Sequence, residues 1–293
     1  MKIGSVAWGW TPTPEDMPTP GSLQLIADEV KALGFDIVDY LTTPESLEGF
    51  FTEEVSRSIG EHARAIGLVT GGLVFQSGEW NNPCPDAQAR QLELFRKCAL
   101  TAKAMGCGTI SCIIPGPFGA RPNRAGSPSE KRATNLPADY SWAKDWSLFT
   151  TMIAKACDIA AEYGLRIAME CFPGSLCSTP HAMLKLLEDA NRPNLGIQLD
   201  TAHLMNQHID VETAIYMLGK DRIFNVHAKD SDGLTRGNLP CGVGFVDYTA
   251  VLTALKNIGY TGNVSVEVEF TDNPRRYMRQ ALEHLKLCMS GEY

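Results

Sequence analysis

The sequence lacks the features that mark several common protein classes. No apolar run approaches the ~18 residues that a membrane-spanning helix needs, and the first residues lack the apolar stretch of a secretory signal. Lys and Arg together number 26 against 34 for Asp and Glu, so the formal net charge is −8. Surfaces that bind nucleic acid need an excess of positive charge. We therefore expect a cytoplasmic protein that contacts neither membrane nor nucleic acid.

Cysteine is present, but its pattern predicts neither a disulfide framework nor a thiolate metal site. The nine cysteines are an odd number, and no two have CxxC spacing. Five lie in apolar or helical stretches: Cys98, Cys107, Cys112, Cys157 and Cys288. Buried cysteines in such stretches behave as small apolar residues. We expect reduced structural thiols.

Strand-like and helix-like segments alternate along all 293 residues. The predicted strands are Lys2–Ala7, Asp36–Tyr40, Val69–Phe75, Thr109–Ile114, Arg166–Glu170, Gly196–Asp200, Ile223–His227 and Val264–Glu269. The predicted helices are Ser22–Leu33, Pro44–Ile66, Asp86–Met105, Trp142–Glu162, Thr179–Ala190, Val211–Leu218, Tyr248–Ile258 and Asn273–Cys288. Such alternation predicts a parallel sheet, because each helix must return the chain to the same edge.

The number of repeated units favours a closed barrel over an open sheet. Glycines follow five of the helical patterns, where a left-handed C-cap is wanted: Gly34, Gly67, Gly106, Gly164 and Gly259. No GxGxxG follows the first strand and no P-loop is present, which removes the commonest nucleotide-binding reasons for an open sheet. A (β/α)8 TIM barrel typically needs about 250 residues. We expect one such α/β barrel, a single domain over residues 1–293.

The longest segment without a strand or helix pattern is residues 115–140, after the predicted fourth strand. Loops of this length are either functional or disordered, and loops that follow strands lie on the active-site face of such barrels. Arg121, Arg124 and Arg132 could clamp an anionic substrate. The alternative interpretation is a solvated loop or an oligomer contact. A second long loop, residues 231–245, follows His227.

Four apolar runs in the second half of the chain each end on a metal-ligand residue type: Glu170, Asp200, His227 and Glu267. Burial of unpaired charge is costly, and neighbouring strands stand about 4.8 Å apart. The four strand ends therefore predict one divalent-metal site, and oxygen and nitrogen ligands suit Mn²⁺, Co²⁺, Mg²⁺ or Zn²⁺. Glu267 and Glu269 point the same way along the last strand. Glu267 is preferred as the ligand because it ends the apolar run, but Glu269 stays an alternative.

Several motifs resemble those of a known superfamily. They are ME at the end of the fifth strand, LDTAH, VHAKD, GVGFVDY and GYTGNVSVEVE. They resemble the xylose isomerase-like (AP-endonuclease-2-type) superfamily, above all its sugar-phosphate isomerase/epimerase members. Ketose 3-epimerases, hydroxypyruvate isomerase and inosose dehydratase belong to it. The resemblance covers nearly the whole chain and implies a TIM barrel that acts on a sugar; it indicates the superfamily rather than the substrate.

The resemblance also implies roles for individual residues. In the ketose 3-epimerases a Glu, Asp, His, Glu quartet binds one metal ion, and its two glutamates act as acid and base. The matching positions here make Glu170 the base and Glu267 the residue that returns the proton, with Asp200 and His227 as further ligands; Mn²⁺ is the expected ion. His203 is a further catalytic candidate. The substrate-binding candidates lie near the same barrel mouth: Trp8, Trp10, His203, Lys229 and Glu269.

The function expected from this resemblance is a metal-dependent sugar isomerase or epimerase that abstracts a proton next to a carbonyl and passes through an enediolate. The epimerases usually carry HxxExxR after the metal-binding histidine, whereas this chain has HAKDSDG. A metal-dependent lyase or dehydratase therefore stays an alternative, acting on a keto-sugar or a 3-keto-glycoside as C-glycoside deglycosidases do, with or without a small partner subunit. A non-catalytic barrel that binds a sugar or a partner is a third hypothesis. A homo-oligomer is expected from the family.

Overall fold

The barrel strands are the central feature of the computed structural model, which describes residues 1–11, 19–122, 134–170, 172–234, 237–269 and 271–291. They are β1 (Lys2–Val6), β2 (Ile37–Thr42), β3 (Val69–Phe75), β4 (Thr109–Ile113), β5 (Arg166–Glu170), β6 (Leu195–Asp200), β7 (Ile223–Ala228) and β8 (Asn263–Val266). Each strand pairs in parallel with the next, and β8 closes the ring on β1. The predicted (β/α)8 barrel is confirmed.

The helices lie between the strands: α1 (Pro20–Leu33), α2 (Pro44–Gly49), α3 (Glu53–Ala65), α4 (Pro85–Met105), α5 (Trp142–Glu162), α6 (Pro180–Ala190), α7 (Thr201–Met205), α8 (Val211–Leu218), α9 (Tyr248–Asn257) and α10 (Pro274–Ser290). Two 3-10 turns, Trp8–Trp10 and Glu79–Asn81, follow β1 and β3. The part of the chain that the structure describes contains no helix with the length and apolar content of a bilayer span.

Local sequence explains where these helices begin and end. Thr43 and Thr179 each precede a proline at the first helical position and accept a hydrogen bond from a backbone N–H of the first turn. Gly34 and Gly106 adopt the left-handed conformation predicted for helix C-caps, with φ of 93° and 84°.

One predicted helix is wrong as a single element. The helix expected over Pro44–Ile66 is two helices, α2 and α3, because the chain leaves helical geometry at Phe50 and starts again after Thr52. The Thr52 side chain accepts a hydrogen bond from Val55 N–H and so caps the second helix. The short helix α7 was not predicted.

A polar layer fills the barrel interior beneath the carboxyl ends of the strands, where TIM barrels usually carry bulky branched residues. It contains Asp39, Ser111, Gln198, Asn225 and Ser265, all at most 3% exposed. The Ser111 hydroxyl donates to Gln198 Oε1. Because Ser111 is on β4 and Gln198 is on β6, and these strands are not neighbours, both side chains must point into the ring. Burial raises the pKa of Asp39. The interior is thus hydrogen-bonded rather than purely apolar.

The long loop after β4 is described only in part. Arg121–Pro122 pairs with Thr134–Asn135 in a short antiparallel ribbon outside the barrel. Arg124, Arg132 and the side chain of Arg121 lie outside the described residues, so the proposed anion clamp stays a prediction. The five cysteines expected to be buried are at most 7% exposed.

Candidate active site

Four side chains meet at the carboxyl end of the barrel. Glu170 ends β5, Asp200 ends β6, His227 is in β7 and Glu267 directly follows β8. All four are buried, and one nitrogen or oxygen atom of each lies within 4.8 Å of the others. The strand register explains this convergence, since it sets Asp200 beside His227 and Glu170 beside Gln198. The sequence therefore identified four residues that the fold brings to one point.

Asp200 has two structural roles. Its Oδ1 accepts a 2.8 Å hydrogen bond from the backbone N–H of His203 and caps helix α7. The cap fixes the carboxylate orientation, which leaves Oδ2 turned toward Lys229 Nζ at 3.3 Å and His203 Nε2 at 3.7 Å. The short helix after β6 thus positions one of the four quartet side chains.

Lys229 is a buried cation beside the quartet. Its Nζ donates to Glu267 Oε2 at 3.0 Å, and its backbone is held where β7 ends by two hydrogen bonds with Thr201 Oγ1, at 2.7 and 3.1 Å. Burial alone would lower the pKa of Lys229, but Asp200, Glu267 and other nearby carboxylates raise it well above its ordinary value. The lysine therefore offsets part of the negative charge of the quartet.

The acidic groups of the site differ in their affinity for protons. Burial, reinforced by Glu267 and Glu170 and opposed by Lys229, raises the pKa of Asp200 to about 7. Burial also acts to raise the pKa of Glu267, but Lys229 and His227 outweigh it and hold that pKa well below its usual range. Environments that separate two carboxyl pKa values in this way are typical of acid–base sites.

The imidazole of His227 lies between Glu170 and Glu267. Its Nδ1 is 3.1 Å from Glu267 Oε2, 3.6 Å from Glu170 Oε1 and 3.0 Å from Gln198 Nε2. Burial disfavours the imidazolium, yet Glu267 and Glu170 together raise the pKa of His227 well above its ordinary value. A bound cation would compete with that proton, because metal ligands must be deprotonated.

The quartet fits a divalent ion by its donor chemistry. Asp200 Oδ2 and Glu170 Oε1 are buried and make no hydrogen bond within the described residues. Their charged neighbours are Lys229 Nζ, 3.3 Å from Asp200 Oδ2, and His227 Nδ1, 3.6 Å from Glu170 Oε1. Since buried polar atoms normally also make hydrogen bonds, both oxygens keep capacity for a further ligand. Carboxylate oxygens and an imidazole nitrogen are ligands that Mn²⁺, Co²⁺ and Zn²⁺ accept. These four residues could therefore hold such an ion.

A cavity of about 160 Å³ opens at this end of the barrel. Of the residues predicted to contact substrate, four line it: Trp8, His203, Lys229 and Glu269. The Trp8 indole N–H donates to Glu267 Oε1 at 3.2 Å and Glu269 Oε1 at 3.0 Å. Trp10 does not belong to this group, because its indole N–H donates to Ser5 Oγ and its ring packs against the core. Substrate contact by Trp10 thus finds no support in the geometry.

Comparison with known proteins agrees with this geometry. A family model described as xylose isomerase-like TIM barrel matches residues 27–288. The chain belongs to this family. An L-ribulose 3-epimerase from Mesorhizobium japonicum is 33% identical over 275 residues, 91% of this chain and 80% of that protein. Another from Methylomonas sp. is 28% identical over 279 residues, 91% of this chain and 84% of that protein. The resemblance inferred from the motifs is confirmed.

The barrel of this family member also matches solved structures. The apo structure of 3-keto-D-glucoside 4-epimerase YcjR from E. coli superposes with a TM-score of 0.77 and covers 98% of this chain and 100% of that one. The sequence identity is only 16%. At that level the likeness shows a shared fold.

Sequence reasoning missed three groups at the site of this barrel. Gln198 contacts His227 and could have been found by period two, since it lies two residues before Asp200 on the same strand face. Phe172 and Gln76 line the cavity, each just beyond a strand end. Nothing in their sequence context separates these two from other loop residues.

Proposed function

We propose that this protein is a divalent-metal-dependent sugar isomerase or epimerase that moves a proton next to a carbonyl group. Its relatives carry the names of sugar epimerases and isomerases, so this protein belongs to the enzymes that act on sugars. The observation that carries the finer proposal is the quartet itself: Glu170, Asp200, His227 and Glu267, buried at the mouth of the barrel, with two carboxylate oxygens that make no hydrogen bond within the described residues.

The two glutamates would perform the proton transfer. A divalent ion held by the quartet would draw electron density from the oxygens of a ketose and make the hydrogen beside the carbonyl more acidic. Glu170 ends β5 and Glu267 directly follows β8, and the two residues flank Asp200 and His227 around the ring. This placement supports removal of one proton by Glu170 and delivery of a different proton, taken up from solvent, by Glu267; the two groups exchange roles in the reverse direction and are reset by proton exchange with water.

Neighbouring side chains would orient the reacting groups. The Trp8 indole N–H and Lys229 Nζ both hydrogen-bond to Glu267 and fix its carboxylate. His203 lines the same cavity and is the candidate for a hydrogen bond to a sugar hydroxyl. Preorganised contacts of this kind place reacting atoms without reorganisation at the moment of reaction.

Solvent-deuterium exchange tests the proposal. A panel of ketopentoses and ketohexoses is incubated in D₂O with the protein and MnCl₂, or with EDTA, and the products are analysed by NMR. We expect deuterium beside the carbonyl only when the metal is present. Absence of exchange into every ketose, with MnCl₂ supplied, would refute the proposal. Release of water or an aglycone without exchange would instead favour the lyase alternative.

Glu170→Gln is the variant that tests the residue assignment. We expect it to lose deuterium exchange by about a hundredfold to ten-thousandfold, the usual contribution of a proton-transfer group. The matched control is Glu61→Gln. Glu61 is an exposed glutamate on α3, away from the carboxyl ends of the strands, so this variant should keep wild-type exchange. Retained exchange in Glu170→Gln would remove Glu170 from its role. A homo-oligomer and a small partner subunit stay predictions.

A further inference from the structure

The cavity mouth carries one carboxylate more than the proposed proton transfer uses. Glu269 lines the cavity beside Glu170 and Glu267, is half-buried, and accepts the Trp8 indole N–H. Among the described lining residues the only cationic side chain apart from the imidazoles is Lys229. Its Nζ is already paired with two carboxylates of the quartet. With a divalent ion in the quartet, the four carboxylates of Glu170, Asp200, Glu267 and Glu269 still exceed the combined charge of the ion and Lys229 by one, so an entering ligand meets net negative charge.

Glu269 is held in this position from outside the barrel. Strand β8 ends at Val266, so residue 269 lies beyond the strand ladder. The side-chain amide of Asn238 substitutes for a neighbouring strand: its Nδ2 donates to the Glu269 carbonyl at 2.5 Å, and its Oδ1 accepts the Glu269 backbone N–H at 2.9 Å. These two bonds set the direction of the Glu269 backbone and hence of its carboxylate.

Asn238 is in turn held by a loop that closes on Asp230. The buried Asp230 carboxylate accepts hydrogen bonds from backbone N–H groups at both ends of the loop, with N···O distances of 2.8–3.0 Å: Ser231, Gly242, Gly244 and Val246. The backbones of Asp230 and Leu239, the residue after Asn238, also pair in both directions. The described residues 237–246 therefore hold Asn238 where it can position Glu269.

We propose that Glu269, positioned by Asn238, makes the cavity selective for neutral, unphosphorylated sugars. The inference rests on the proposed sugar isomerase or epimerase function and adds the substrate class. A carboxylate accepts hydrogen bonds from sugar hydroxyls but repels a phosphate dianion, and Lys229 is already committed to Asp200 and Glu267. Repulsion between the carboxylate and a phosphate in a half-buried site excludes a phosphate ester more strongly than the mere absence of a favourable contact would.

The test compares a neutral ketose with its terminal phosphate ester. Wild-type protein with MnCl₂ should favour the neutral sugar in kcat/KM by about a hundredfold. Glu269→Gln should reduce that preference roughly tenfold, chiefly through a lower KM for the ester. Asn238→Ala should move the preference in the same direction, and the double variant should go no further than Glu269→Gln, since Asn238 acts through Glu269. Glu61→Gln, with the same change of formal charge, should leave the preference unaltered.

Other outcomes would overturn the inference. Preference of wild-type protein for the ester, or an unchanged preference in Glu269→Gln, contradicts selectivity by this carboxylate. Additive effects of the two substitutions contradict the positioning role of Asn238. Amide hydrogen exchange at Glu269 reports on the same contact without turnover and should accelerate in Asn238→Ala. If neither sugar reacts, the proposed function fails, and calorimetric binding of both sugars to Glu170→Gln still tests selectivity: equal affinities refute it and a preference for the neutral sugar supports it.

Discussion

Asp200→Asn should stabilise the protein while it weakens metal binding. The fold raises the pKa of this buried carboxyl from 3.8 to about 7, so its ionised form is less stable in the folded than in the unfolded chain. At 1.36 kcal/mol per unit, the rise corresponds to about 4 kcal/mol. This destabilisation is largely absent below pH 4, grows as the pH rises, and is nearly complete at pH 8. An amide cannot ionise, so the variant does not incur this destabilisation.

The assay is urea unfolding of EDTA-treated protein at pH 8. Asp200→Asn should raise the free energy of unfolding by up to about 4 kcal/mol, a value in which the opposing attraction of Lys229 is already included. It is an upper limit because the amide caps α7 only when its oxygen faces the His203 N–H. The gain should shrink toward zero near pH 4. Addition of MnCl₂ should stabilise the wild-type protein but not the variant, since the variant has lost a charged ligand.

The matched control is the same substitution at Asp230. This aspartate is equally buried, but its carboxylate accepts four backbone N–H bonds. An amide would turn an NH₂ group toward two of those donors, so Asp230→Asn should destabilise the protein by about 3 kcal/mol or more. If Asp200→Asn also destabilises the EDTA-treated protein, or keeps the MnCl₂ effect, the electrostatic account of the quartet is wrong.

Further predictions concern the same site and its loop. Affinity for Mn²⁺ should fall as the pH is lowered, by up to about tenfold per pH unit above pH 7, where the proton on His227 must leave, and more steeply below pH 7, where Asp200 is protonated as well; calorimetry in two buffers measures the proton release. Trp8→Phe removes the indole N–H donated to two carboxylates, so kcat/KM should drop roughly tenfold; because Trp8 is buried and phenyl is smaller than indole, the melting temperature should also fall by a few degrees. Gly244→Ala sets a Cβ 2.4 Å from Asp230 Oδ1 and should cost about 2 kcal/mol in urea unfolding, whereas Gly49→Ala, with nothing within 4 Å, should cost nothing.

Local patterns in the sequence predicted most of the elements. The predicted helix Trp142–Glu162 and the strand Arg166–Glu170 coincide with the observed bounds. Side-chain period and glycine caps act within a few residues of one another, so they can be recognised without the fold. The prediction of one helix over residues 44–66 failed because each half is helical in pattern. The break lies where the rings of Phe50 and Phe51 contact each other, tilted by 46° with centroids 4.5 Å apart.

The candidate site also combines features that the sequence predicts with contacts that it does not. The convergence of Glu170, Asp200, His227 and Glu267 was predictable, because parallel strands in a barrel bring their carboxyl ends to one rim. The pairing of Lys229 with two of these acids, and the hold of Asn238 on Glu269 from 31 residues away, were not. A sequence predicts which face of its own strand or helix a side chain occupies. Which group it meets depends on strand register, loop path and the distances between segments remote in the chain, and these exist only once the barrel has closed.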